Sequence, residues 1–302
     1  MEAWLDEIAL KYPELQISRQ VPLREYTTFR VGGPAEYWAE PESEEELMLL
    51  WRAAKRHGLP FFLMGQGSNL LVRDGGVPGL TVHLGKSFGR IAKTGETELT
   101  AQAGALLSEL SRKAQALGLA GLEFAAGIPG TVGGGAYMNA GAYGGEMGGV
   151  VSGLECFEGE KIRTLDPKEA GFSYRHSRMM ENGWLITRVK VKLTPDDPEI
   201  ILERMKDLQQ RRKDKQPLTL PSAGSFFKRP QGDFAGRLIE AAGLKGFRVG
   251  DAMVSEKHAG FVVNAGHATA GDILSLMKQV QERVEKQSGI RLEPEVRIIG
   301  VD

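Results

Sequence analysis

The sequence predicts an α+β fold in three domains, and three observations carry that expectation. Strand-length apolar runs and amphipathic helical stretches both occur throughout the 302 residues, a length sufficient for two or three modest domains. Glycine, with 39 copies, is concentrated between Gly121 and Gly149, where Phe124, Ile128, Tyr137, Met138 and Tyr143 interrupt it. A flexible linker would be polar, so this stretch reads as packed backbone that something approaches closely. Pro195 and Pro198 then open a charged, more helical final zone. The expected divisions are 1–84, 85–194 and 195–302.

In the first zone, Ser43 followed three residues on by Glu46 forms a capping box that opens a helix through Leu47, Leu50, Trp51 and Ala54, stopped near Gly58. Phe61 to Met64 reads as a buried strand, Gly65-Gln66-Gly67-Ser68-Asn69 as a loop, and Leu70 to Val72 as a second strand. The second zone holds strands near 98–103, 150–157, 162–165 and 184–193, and a helix from Leu106 to Leu117 ended by Gly118. In the third, helices are expected over 199–213, 234–242 and 272–287, the last capped by Thr269 and stopped at Gly289, with strands at 261–263 and 296–299.

Composition excludes several classes. A net charge of -1 supplies no global basic field, so neither nucleic acid nor a membrane surface is an expected partner. Cys156 alone cannot form an internal disulfide, and its apolar neighbours Leu154 and Phe157 suit a small buried residue. The first ten residues do not read as a signal peptide, and no run approaches the about 20 apolar residues of a membrane span, so a cytoplasmic protein is expected. The five histidines show no metal-ligand spacing, and no metal is expected; His258, beside Lys257, is the one with some claim to a site.

The chemistry rests on backbone. A Gly-rich loop between two strands offers several N–H groups to phosphate oxygens, and Ser68 and Asn69 add short donors. The stretch from Gly127 to Gly135 could do the same for a flat ring or a second phosphate. Two such loops suit a large ligand with a pyrophosphate, such as FAD; they would serve equally as two tight turns that bind nothing. Neither is a dinucleotide fingerprint, because position 70 is Leu and a strand follows where a helix is required. Gly85-Lys86-Ser87 fails as a phosphate loop, with Leu at position 80. Arg175, in Tyr174-Arg175-His176-Ser177, could grip a carboxylate in two-pronged fashion. Ser225 sits between Gly224 and Phe226-Phe227, and Glu293 and Glu295 stand at the start of a strand.

Taken together, the segments Thr28-Phe29-Arg30-Val31-Gly32-Gly33, Gly65 to Leu71, Gly127-Ile128-Pro129-Gly130 through Asn139-Ala140-Gly141-Ala142-Tyr143-Gly144, Tyr174-Arg175, Gly224-Ser225-Phe226-Phe227-Lys228 and Glu295-Val296-Arg297 resemble the UDP-N-acetylenolpyruvoylglucosamine reductase family in order and spacing. The first Gly-rich pieces are shared with a wider class of FAD proteins that includes vanillyl-alcohol oxidases; the later three narrow the resemblance to the reductases. Only eight residues separate Arg175 from Trp184, so the chain resembles the subgroup with a short loop there, called type II.

The resemblance implies a vanillyl-alcohol-oxidase-type FAD-binding unit in two parts, a C-terminal α+β substrate domain, and a monomer. It implies non-covalent FAD lined by Arg30, Gly65, Gln66, Gly67, Ser68, Asn69, Leu70, Gly127, Ile128, Pro129, Gly130, Thr131, Gly133, Gly134, Asn139, Gly141 and Ala142. NADPH would be the hydride donor and the enolpyruvyl UDP-sugar the substrate, reduced to UDP-N-acetylmuramate for peptidoglycan. Ser225 matches the general acid, and Arg175 and Glu295 match the pair that polarises the substrate carboxylate. Lys215 would meet the UDP phosphates, with Tyr174 and Lys228 as site neighbours.

Overall fold

The computed structural model describes residues 3–159 and 161–302. The chain divides into two compact units, each assembled from separate segments: Met1–Ser18, Trp38–Gly65 and Leu80–Arg211 form the first, and Arg19–Tyr37, Gln66–Gly79 and Arg212–Asp302 the second. The compact units change over after residues 18, 37, 65, 79 and 211, whereas the boundaries expected from the sequence fall after 84 and 194.

The first unit is built on a five-stranded antiparallel sheet in the spatial order Lys161–Leu165, Val151–Glu158, Leu185–Lys192, Glu98–Gln102 and Ile91–Lys93. Four of these are the strands expected from the apolar runs, shifted by a residue or two at their ends; the edge strand Ile91–Lys93 was not expected. Cys156 lies in the second of them, fully buried, and burial pushes its thiol up to about 12, so it is an inert packing residue. Phe61–Met64 runs parallel to the Val77–His83 strand, in register from Phe61 opposite Leu80 to Met64 opposite His83. The Glu44–Arg56 helix starts at Ser43, whose Oγ accepts from Glu46 N at 3.2 Å. Only half of the expected box forms, because the Glu46 carboxylate accepts from Glu42 N (2.8 Å).

A helix that no pattern predicted occupies the middle of the glycine cluster. Val132–Tyr137 contains three consecutive glycines, each costing about 1 kcal/mol in a helix relative to alanine. Packing explains two of them. A Cβ on Gly133 would lie 2.6 Å from Ala103 Cβ, and one on Gly135 would lie 3.0 Å from Leu107 Cδ1. The helix lies so close to the end of the Glu98–Gln102 strand and to the Leu107–Ala116 helix that side chains do not fit. Thr131 starts it, its Oγ1 accepting from Gly134 N at 3.3 Å.

The second unit carries a four-stranded antiparallel sheet ordered Ser222–Ser225, Phe261–Asn264, Ala252–Val254 and Arg248–Val249. The Ala270–Ser288 helix packs on it, burying Ile273, Leu276, Val280 and Val284 in a core shared with Phe29, Leu71, Phe226, Phe227 and Val296. Its caps are those expected: Thr269 and Asp272 form a complete capping box, and Gly289 ends it at φ +72°. The turn after Leu70–Val72 adds a second support, since Asp74 accepts from both Ala270 N and Gly271 N at 2.9 Å. Asp74→Ala is expected to lower unfolding stability by about 1–2 kcal/mol, read by urea denaturation, because both N–H groups lose an anionic acceptor at a positive helix end. Leu70–Val72 pairs in parallel with Arg297–Ile299, which ties the first Gly-rich loop to the C-terminal strand.

Candidate active site

Each unit carries part of the predicted set. In the first, the two Gly-rich loops meet: a Cβ on Gly65 would fall 2.5 Å from Thr131 Oγ1. Gly127, Ile128 and Gly130 are half-buried, Pro129 is exposed, and Gly133 is buried against Ala103. Gly134 is exposed, and of the surrounding atoms only Thr131 Oγ1, at 3.4 Å, comes near its would-be Cβ. Backbone is thus open at Gly134, next to a second glycine loop held against the same threonine. That is the cradle an extended phosphate ligand needs, and it fits FAD.

Arg175 stands at the tip of a tight hairpin. Ser173 and His176 exchange backbone hydrogen bonds (both 3.1 Å), leaving Tyr174 and Arg175 as the two turn residues. Arg175 takes φ +54°, as the third residue of a type II turn does, although that position favours glycine. Its Nη2 donates to Gly141 O at 3.0 Å, and the guanidinium lies 5.0 Å from the centre of the exposed Tyr174 ring. Asn139 is fully buried; its Nδ2 donates to Ser173 O and its Oδ1 accepts from Gly148 N, both at 2.8 Å. Its side chain thus holds protein backbone, and Gly141 and Ala142 follow it half-buried.

In the second unit, Ser225 ends a strand that contains a bulge. Ser222 pairs with Val263 and Ser225 with Phe261, so the Ser222–Ser225 strand has one residue more than its partner. Gly224 absorbs it at φ +79°. The extra residue leaves Ser225 exposed while Ala223, Phe226 and Phe227 are all buried, which strict alternation would not allow. The Thr28–Gly33 segment supports this strand: Thr28 Oγ1 donates to Ser222 O (2.7 Å), and buried Phe29 meets Phe226 edge-on at 6.3 Å. Among the described residues, no atom beyond its own chain neighbours lies within 4 Å of a Cβ built on Gly224, so Gly224→Ala is expected to cost only the left-handed backbone strain, roughly 1–2 kcal/mol, in a denaturant titration.

Glu295 is placed beside that strand by backbone. Its N–H donates to Phe226 O at 2.8 Å, one residue beyond Ser225, and its carbonyl accepts from Asn69 Nδ2 at 3.2 Å. Asn69 O in turn accepts from Arg297 N at 3.0 Å. Gln66 is exposed, Gly67 is buried against Tyr26 and Thr27, Ser68 is half-buried, and Leu70 begins the strand. Arg30 is exposed with φ +55°. Lys215 ends the Pro198–Lys215 helix and is exposed, while Lys228 pairs with Glu293 at 3.4 Å.

Among the described residues, five non-glycine positions have positive φ: Gln20, Arg30, Asn139, Tyr143 and Arg175. Four of them fall in the motif segments, so backbone strain is concentrated in those segments. His258 is a turn residue whose Nδ1 accepts from Gly260 N at 3.1 Å; burial, with the charges of Lys245 and Lys215, moves its pKa below the usual histidine range. Among the described residues, no group of three or more His, Cys, Asp or Glu is placed to hold a metal. Ser177, for which the sequence suggests no role, is buried and donates to Tyr137 O at 2.6 Å; its adjacency to Tyr174-Arg175 is the available signal.

A family model for an FAD-binding domain matches residues 35–160, and one for the C-terminal domain of UDP-N-acetylenolpyruvoylglucosamine reductase matches residues 216–299. The reductase from Agathobacter rectalis is 45% identical, over 99% of both chains. The chain belongs to the UDP-N-acetylenolpyruvoylglucosamine reductase family. The reductase from Rubrobacter xylanophilus is 49% identical over 92% of this chain and 94% of its own. The crystal structure of the Thermus caldophilus reductase superposes with a TM-score of 0.83 at 40% identity, covering 95% of this chain and all of that one. The α+β class and the FAD cofactor expected from the sequence are therefore features of this reductase-family chain. No helix among the described residues is long and apolar enough to cross a membrane.

Proposed function

We propose that this chain catalyses NADPH-dependent reduction of UDP-N-acetylenolpyruvoylglucosamine to UDP-N-acetylmuramate, for peptidoglycan precursors in the cytoplasm, and works as a monomer. The observation that carries the reading is the Gly224 bulge, which presents an exposed Ser225 hydroxyl beside the backbone position of Glu295. Full-length similarity to reductases supports it.

FAD, when bound, supplies hydride from N5 to the methylene carbon, C3, of the enolpyruvyl group. Negative charge then develops on C2 and the carboxylate as an enolate. Arg175 stabilises that charge through its fixed fork of donors. Glu295 can assist only in its protonated form, by sharing a proton with the enolate oxygen; as a carboxylate it would repel. Ser225 delivers a proton to C2. A serine hydroxyl is a weak acid, adequate here because the enolate is a strong base and the donor is positioned. Lys215 contributes charge toward the UDP phosphates, and Tyr174 and Lys228 border the sugar. The remaining named glycine-loop residues other than the fully buried Asn139, with Arg30, would hold the FAD; no histidine or cysteine stands in Gly65–Asn69 to attach it covalently.

The test is the visible spectrum of the purified protein, recorded before and after anaerobic NADPH and then the enolpyruvyl UDP-sugar. Bleaching by NADPH and recovery of colour with the sugar are expected. A colourless protein that takes up no FAD would overturn the reading. Recovery with oxygen alone would point instead to an oxidase of the same superfold.

A further inference from the structure

We propose that Asn139 is a positioning residue for Arg175, an inference that rests on the role of Arg175 in the reduction above. The Ser173–His176 hairpin ends in two residues, one exposed and one in a left-handed conformation that costs a non-glycine residue roughly 1–2 kcal/mol. Such a tip keeps its geometry only where its surroundings over-determine it. Residues 137–141 do so at three points. Tyr137 O accepts from Ser177 Oγ (2.6 Å), Asn139 Nδ2 donates to Ser173 O (2.8 Å), and Gly141 O accepts from Arg175 Nη2 (3.0 Å).

Asn139 is the centre of this clamp. Its amide is fully buried and both its polar atoms are used, the oxygen fixing Gly148 N and so the loop behind it. It also sits at φ +45°, which asparagine tolerates better than other non-glycine residues. Aspartate can keep the bond from Gly148 N but, ionised, cannot donate to Ser173 O, and it would set a negative charge against that carbonyl. Alanine loses both bonds, and glutamine is one methylene too long for the space. One side chain therefore joins the loop that ends in Gly141 to the first residue of the arginine turn, and the guanidinium closes the circuit back to Gly141.

The consequence is specific to the substrate carboxylate. Titration calorimetry of the FAD-loaded oxidised protein would compare UDP-N-acetylmuramate, which carries a carboxylate, with UDP-N-acetylglucosamine, which lacks one. Asn139→Asp is expected to weaken the first by about 10-fold and the second by less than about 2-fold, the loss following from a guanidinium displaced by a fraction of an ångström. In stopped flow, recovery of colour with the enolpyruvyl UDP-sugar should slow by about 10–100-fold and bleaching by NADPH by less than about 3-fold. Added to Arg175→Ala, Asn139→Asp should cost little more, since both act through one guanidinium.

Equal losses for the two UDP-sugars, or losses that add to those of Arg175→Ala, would reduce Asn139 to a fold residue and overturn the proposal. If Asn139→Asp does not fold, Ser177→Ala removes a neighbouring point of the clamp and should show the same selectivity, more weakly; its absence there also overturns the proposal. A wild-type protein not recoloured by the enolpyruvyl sugar would instead sink the reductase reading, whatever Asn139 does.

Discussion

Ser225→Ala is expected to slow sugar-driven recovery of colour by at least about 10²–10⁴-fold, the range for removal of a positioned acid. The NADPH-driven bleaching and the FAD content should match wild type, because the step that loses its proton donor comes after both. Three features of the site make this a clean deletion. Ser225 is exposed, so its hydroxyl contributes nothing to a buried core. The neighbours that shape the strand, Gly224 at φ +79° and buried Phe226, are untouched. Alanine is smaller than serine and demands no new space. A melting temperature close to wild type, combined with the kinetic loss, would place the effect in the chemistry. Recovery at the wild-type rate would remove Ser225 from the mechanism and return the proton to another donor.

Loss of Arg175 is the second large effect, expected at about 10²–10³-fold in the same step, as for deletion of a donor aimed at a developing oxyanion. The substitution needs care. Position 175 has φ +54°, so alanine would add backbone strain to the loss of the guanidinium. Arg175→Asn separates the two, because asparagine tolerates this conformation while supplying no positive charge. Arg175→Lys should rescue little: an ammonium is a point charge, and neither the two-pronged grip nor stacking on the Tyr174 ring survives. Similar kcat losses for the Asn and Ala variants, with lysine close to both, would support the fork; wild-type rates in the lysine variant would show that charge alone suffices.

These roles also explain which residues could be read before the fold was known. Ser225, Arg175 and Glu295 each lie in a short segment whose order and spacing carry the family resemblance, so their place in the chain was visible. Their geometry was not. Nothing in Gly224-Ser225-Phe226 announces a bulge, because the bulge exists only relative to Phe261–Val263 on the neighbouring strand. Asn139 read as one more member of a cofactor loop, whereas its amide engages Ser173, 34 residues away.

By itself the sequence determined the elements whose signals are local. Thr269, Asp272 and Gly289 bound a helix because caps act within one turn of the backbone they serve. Phe61–Met64 and Leu70–Val72 are strands at the limits expected from two apolar runs and the loop between them. Only the tertiary structure decided what depends on close approach between distant segments. The Val132–Tyr137 helix carries glycine at positions 133 and 135 because Ala103 and Leu107 leave no room for side chains there. Residues 19–37 and 66–79 join residues 212–302 because Phe29 and Leu71 complete a core that Phe226 and Val296 share. A cap is encoded by its own neighbours, whereas a void, a register or a shared core is encoded by the whole chain at once.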